Sequence, residues 1–207
     1  MDTGFITINA HSSIRIDAGP GAVCYVDPYL LKEAPHDADL ILVTHSHHDH
    51  FSPDDIKRVA KANTRFVAPR GMELELSEAL FVSPGETCCP LPSISVEAVP
   101  AYNVGKKFHP RANGWVGYII TTHDGTSVYV AGDTDDLPEN RALSCDIALV
   151  PVGGTYTMTA EEAAVFVNAL QPKVAIPEHY GSGVGSKGDG KRFAKLVDPG
   201  IKVVFKL

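Results

Sequence analysis

Short apolar runs separated by polar turns dominate the chain. Phe5-Ile6-Thr7-Ile8 alternates with period two and predicts a first strand; Ser13 to Asp17 predicts a second. Gly19-Pro20-Gly21 marks a turn, and Val23 to Asp27, closed by Pro28, predicts a third strand. Asp39-Leu40-Ile41-Leu42-Val43 is a run of the length of a buried strand. Ser52 is a good N-cap, Pro53 suits the first helical position, and Asp54 and Asp55 complement the positive helix end, so a helix is expected to about Asn63. Arg65 to Ala68 predicts a strand, Met72 to Leu76 a short helix, and further strands fall near Phe81 and from Ser93 to Val99, with a Pro84-Gly85 turn between them. Breakers make Tyr102 to Gly117 mostly loop. Trp115 to Thr122 and Ser127 to Val130 flank His123-Asp124-Gly125 as a hairpin. Asp146 to Val150 and Lys173 to Pro177 predict buried strands. Between them, Thr159-Ala160-Glu161-Glu162 reads as a capping box opening a helix that Leu170 and Pro172 end. Asp189 to Val197 predicts a helix and Ile201 to Phe205 a last strand. Strands outnumber helices, so the expected class is α+β, with helices outside a two-sheet core.

Composition narrows the class. A chain of 207 residues suits one domain spanning residues 1–207, or two fused halves sharing a core, although no short repeat is visible. Hydrophobic content of 44% and charged content of 21% are those of an ordinary globular protein. A net charge of -7 argues against a broad nucleic-acid surface. No apolar run approaches a membrane span, and Met1-Asp2-Thr3-Gly4 lacks a basic, apolar leader. Cys24, Cys88, Cys89 and Cys145 show no chelating spacing, which suits a reducing cytoplasm. Gly181 to Gly185 lacks the order of a nucleotide-binding loop.

Chemistry concentrates where the fourth strand ends. Thr44-His45-Ser46-His47-His48-Asp49-His50 carries four of the nine histidines and an aspartate. Packing explains such a strand end poorly, whereas imidazole and carboxylate are zinc ligands. While the chain is still extended, His45 and His47 point the same way. Asp49 and His50 follow a turn and face a second point, so the H-x-H-x-D-H pattern suggests two adjacent metals. Asp133 repeats the logic, since the run from Ser127 to Val130 delivers a carboxylate just past its end. His11, between the first two strands, reads as a structural or neighbouring group.

These motifs resemble the metallo-β-lactamase superfamily of metal-dependent hydrolases. Ala131-Gly132-Asp133-Thr134-Asp135 is similar to the family's strand-end motif with a metal-bridging aspartate, and Ile176-Pro177-Glu178-His179-Tyr180-Gly181 to its last histidine motif. Phe108-His109-Pro110 followed by Gly114-Trp115-Val116-Gly117-Tyr118 resembles the middle-histidine segment. Pro151 to Met158 resembles the branch with ascorbate-lactonase-like and N-acyl-phosphatidylethanolamine phospholipase D-like proteins. The resemblance implies a four-layer αβ/βα sandwich. It assigns His45, His47 and His109 to one metal, Asp49, His50 and His179 to a second, and Asp133 to both. Zinc is the first choice of metal, with manganese or iron as alternatives.

The implied activity is hydrolysis of an ester, lactone or phosphodiester by a metal-bridging hydroxide, with Asp49 and Asp133 as the catalytic carboxylates. The expected partner is a small molecule, anionic or not; Lys106, Lys107 and Arg111 could steer an anion. No nucleic-acid partner is expected, and a homo-oligomer is left open. Tyr156, Tyr180 and Asn103 are candidate oxyanion donors. Two other classes stay in play: a non-heme iron redox protein on the same scaffold, and a metal-stabilised binding module without turnover.

Overall fold

Two sheets, each running in chain order, lie face to face. A computed structural model describes residues 1–73, 76 and 78–207. The first sheet holds β1 (Ile6–Ala10), β2 (Ser13–Asp17), β3 (Val23–Val26), β4 (Ala38–Leu42), β5 (Ala60–Pro69) and β6 (Leu80–Val82). The second holds β7 (Thr87–Leu91), β8 (Ile94–Pro100), β9 (Val116–Thr121), β10 (Ser127–Val130), β11 (Ile147–Pro151), β12 (Val174–Glu178) and β13 (Lys202–Val203). Each sheet starts antiparallel and turns parallel: the change falls at β3–β4 in the first and at β10–β11 in the second. The halves thus share a layout that no sequence repeat betrays.

Burial follows the period-two pattern. Ile14, Ile16, Leu40 and Leu42 of the first sheet meet Val96, Tyr118, Val128 and Leu149 of the second in the central core. Tyr25, Ile41 and Val43, on the other face, pack with Ile56 and Val59 of α1 (Pro53–Val59). Tyr129, Val150 and Ala175 pack with Phe166 and Val167 of α2 (Ala160–Leu170) and Phe193 of α3 (Asp189–Leu196). Helix, sheet, sheet and helix form the expected four-layer α+β sandwich. The capping box at Thr159 and Glu162 is present on α2.

The structure corrects two local expectations. The first helix ends at Val59, not near Asn63. Ala60 takes an extended conformation (φ -66°, ψ 144°), Lys61 N donates to Thr64 Oγ1 at 2.8 Å, and Thr64 Oγ1 donates to Ala38 O at 2.7 Å. Local side-chain bonding and pairing with β4 outweigh helix propensity there. Second, β7 went unexpected because Pro90 discourages a strand. It pairs only with β8, at the sheet edge, where a missing N–H costs no ladder bond. The short helix expected from Met72 to Leu76 includes Leu74 and Glu75, outside the described residues. Among the described residues, no helix is long and apolar enough to cross a membrane.

Candidate metal centre

The ends of β4, β10 and β12 meet at one rim of the sandwich. Past β4, Thr44 fixes the chain: its N–H and Oγ1 both donate to Asp27, at 2.8 and 2.6 Å, and its carbonyl accepts from Val116 N. His45 follows directly. The chain then folds over, with His50 N and Phe51 N both donating to His47 O, before Ser52 caps α1. That turn separates Asp49 and His50 from His45 and His47. Beyond β10, Gly132 is left-handed at φ +64°, and a Cβ there would stand 3.1 Å from Val116 O and 3.3 Å from Thr44 Cβ. Glycine lets this strand end press against the first and places Asp133 between the two pairs. His179, left-handed at φ +58°, stands just after β12 and donates its N–H to His11 O at 3.3 Å.

All seven predicted site residues come together. His45, His47 and His109 form one group with ligand atoms within 4.8 Å of one another; His11, Asp49, His50 and His179 form another. Asp133 lies between them. Its Oδ1 is 3.2 Å from His50 Nε2 and 3.3 Å from His179 Nε2, while its Oδ2 is 3.2 Å from His109 Nε2. His50 Nε2, His109 Nε2, His179 Nε2 and Asp133 Oδ1 are buried without a hydrogen-bond partner. Leaving such atoms unpaired costs on the order of 1–3 kcal/mol each, so this geometry is built to bind something.

Neighbours orient the imidazoles. His50 Nδ1 donates to buried Asp27 at 2.7 Å, His109 Nδ1 to Asn103 Oδ1 at 3.0 Å, and His45 Nδ1 to Thr44 Oγ1 at 2.9 Å. Each bond commits Nδ1 and leaves Nε2 facing the cluster, as carboxylate–histidine pairs do around metals. His11 Nε2 lies 3.2 Å from Asp49 Oδ2, and its ring packs 3.7 Å from that of His179.

Charge is tightly organised. Burial opposes a proton on His50, yet Asp133 and Asp27 outweigh it and lift its pKa well above the usual value. Burial also opposes ionisation of Asp133, but His179 and His50 hold it well below the carboxylate range. Against the same opposition, His11 and His179 hold Asp49 low. Burial alone dominates at His45, whose pKa falls well below the ordinary value, and at Glu178, which is pushed up to about 7.

Some neighbours escaped the sequence reading. Asp27 follows β3 as Asp133 follows β10, an apolar run delivering a carboxylate; the same rule applied once more would have found it. Asn103 is not an oxyanion donor. Its Nδ2 donates to Tyr156 O at 2.8 Å and to Asp135, and its Oδ1 receives His109. Asp135 is buried and pairs with Lys106 Nζ at 2.5 Å. Tyr156 and Tyr180 do line the cavity above the cluster.

Residues 5–179 match the family model described as a beta-lactamase superfamily domain. A UPF0173 metal-dependent hydrolase from Thermoplasma acidophilum is 34% identical, over 83% of this chain and 81% of that protein. Among solved structures, a candidate metal-dependent hydrolase of Parabacteroides distasonis superposes with a TM-score of 0.83 at 35% identity, covering 98% of this chain and 92% of that one. A metallo hydrolase of Ignicoccus hospitalis gives a TM-score of 0.76 at 25% identity, covering 97% and 93%. The chain belongs to the beta-lactamase superfamily. Within it, it belongs to the metal-dependent hydrolases.

Proposed function

We propose that the chain is a dinuclear metallo-hydrolase in which His45, His47 and His109 hold one divalent cation, Asp49, His50 and His179 hold a second, and Asp133 joins them. The observation that carries this reading is the split of Asp133, with one oxygen toward each imidazole group. The unpartnered buried Nε2 atoms fit a cation better than a proton network, because hydrogen bonds already fix the Nδ1 side of His50 and His109. Five imidazoles and two carboxylates favour zinc over manganese. A pair of such cations supplies an acidified water near neutral pH and polarises the oxygen of the bond under attack.

The chain's own groups do the rest. His11 Nε2, 3.2 Å from Asp49 Oδ2, positions that oxygen toward His50 and His179, each 3.7 Å from it. Asp27 and Asn103 keep His50 and His109 aimed inward. The apolar strands beneath give the rim a rigid floor, so little reorganisation accompanies reaction.

The test is metal content and turnover together. Two zinc ions per chain, hydrolysis of an ester, lactone or phosphodiester, and loss of both on Asp133→Ala are expected. A fully loaded protein inert toward all three bond types would overturn the hydrolase assignment.

A further inference from the structure

Above the cluster opens a cavity of about 530 Å³, the size of a small-molecule site. His47, Asp49, His109 and Asp133 reach it, and much of the remaining wall is apolar or aromatic, including Tyr29, Leu30, Phe108, Tyr156 and Val184. Among the described residues no lysine or arginine lines it. Of the three cations expected to steer an anion, Lys107 is exposed and outside the lining, and the other two are engaged elsewhere. Lys106 Nζ binds Asp135 and donates to Thr157 O at 2.8 Å, and the Arg111 guanidinium lies over the Tyr102 ring at 5.1 Å.

The walls are also braced. Phe108 and Tyr156 meet edge to face, with centroids 4.6 Å apart. Asn103 pins Tyr156 through its carbonyl, and Lys106 pins the next residue. Leu30 is 57% exposed and left-handed at φ +50°, a costly state for leucine. Asp55 holds it there, accepting from Leu30 N at 2.9 Å and Leu31 N at 3.1 Å. Chain strain and exposed apolar surface are thus spent on a preformed greasy mouth, which lowers the cost of binding an apolar group. A phosphodiester carries a permanent charge on two non-bridging oxygens, and this wall offers it no basic side chain. A carboxylic ester is neutral until it is attacked.

We infer that the cavity takes an uncharged carboxylic ester or lactone with an apolar acyl part, gripped by Phe108, Tyr156 and Leu30. This rests on the hydrolase reading for its chemistry but not for its recognition. Water adds across the acyl C–O bond. The new C–OH bond forms as the C–OR bond breaks, and the proton lost by water ends on the departing alkoxide, with no change of oxidation state.

The zinc-loaded full chain is given p-nitrophenyl acetate, p-nitrophenyl hexanoate and bis(p-nitrophenyl) phosphate. Separately, 2-octanone and 2-butanone serve as uncleavable mimics, with binding read by NMR titration. Hexanoate should exceed both acetate and the phosphodiester in kcat/KM by about tenfold or more. 2-Octanone should bind at least about tenfold tighter than 2-butanone, following buried methylene area. Phe108→Ala and, on a separate loop, Leu30→Ser should each cut both chain-length ratios several-fold, with Phe108→Leu restoring most of the loss. A faster phosphodiester overturns the inference and leaves the hydrolase reading standing. Equal rates for the two esters together with equal binding of the two ketones also overturn it. Chain-length-dependent ketone binding with no turnover of any substrate supports the recognition while sinking the hydrolase reading.

Discussion

Asp27 never reaches the cavity, yet it determines where His50 points. Its carboxylate is buried and committed to His50 Nδ1, Thr44 N and Thr44 Oγ1. If the proposed dinuclear site holds, Asp27→Asn should weaken the cation at Asp49, His50 and His179 by about 10–100-fold while sparing the His45–His47–His109 group. Competitive zinc titration with stoichiometry checks this, and unchanged affinity would show the bond to be merely structural. Protons offer a second residue-scale test. Against its burial, His50 has its pKa raised in the folded protein by Asp133 and Asp27, so a proton at Nε2 competes with a metal there. Zinc loading at pH 7 should therefore release protons, and zinc affinity should rise with pH through neutrality. Calorimetry in buffers of different ionisation enthalpy reads the number directly. Cysteines give a contrast away from the site. Burial pushes Cys24 and Cys145 up to about 12, so neither presents a thiolate at pH 8. Exposed Cys89 should react first with a thiol reagent, half-buried Cys145 more slowly, and buried Cys24 only on unfolding.

At the scale of elements, the strand ends do the positioning. Gly132→Ala forces a Cβ into a left-handed position already crowded by Val116 O and Thr44. It should cost about 1–3 kcal/mol and displace Asp133, so zinc content falls along with the melting temperature. Thr159→Ala, which removes the capping box of α2 from the opposite layer, should cost about 1 kcal/mol, or roughly 2–4 °C, with zinc content unchanged. Most elements were readable because their residues obey one rule: alternation in β1 and β2, continuous apolar runs in β4 and β11, caps at Ser52 and Thr159. The end of α1 was not, since Thr64 draws its stop signal from Ala38, a strand away. β7 was hidden because only its edge position excuses Pro90. Six of the seven cluster residues were readable as polar groups after a strand; His109, inside a loop, and the grouping of all seven came from the resemblance. Asn103 and Lys106 could not be read, as their partners lie 32 and 29 residues away in sequence at Asp135.

The whole molecule is two layered halves that share a central core and bring their polar loop ends together at one rim. His45, His47, Asp49 and His50 come from the first sheet's side, and His109, Asp133 and His179 from the second's. Cations held between them would staple the sheets as well as serve chemistry. Zinc at about 100 times its dissociation constant should add about 2.7 kcal/mol of stability. A chelator should lower the melting temperature of the parent protein and leave Asp133→Ala nearly unmoved.

Because strands within each sheet follow chain order, the first sheet can pair up before the second is complete. The rim is incomplete until β12 has emerged and His179 N can reach His11 O. Until then a nascent chain carries only the ligands of the histidine-rich turn, and the complete set exists only once both sheets are made.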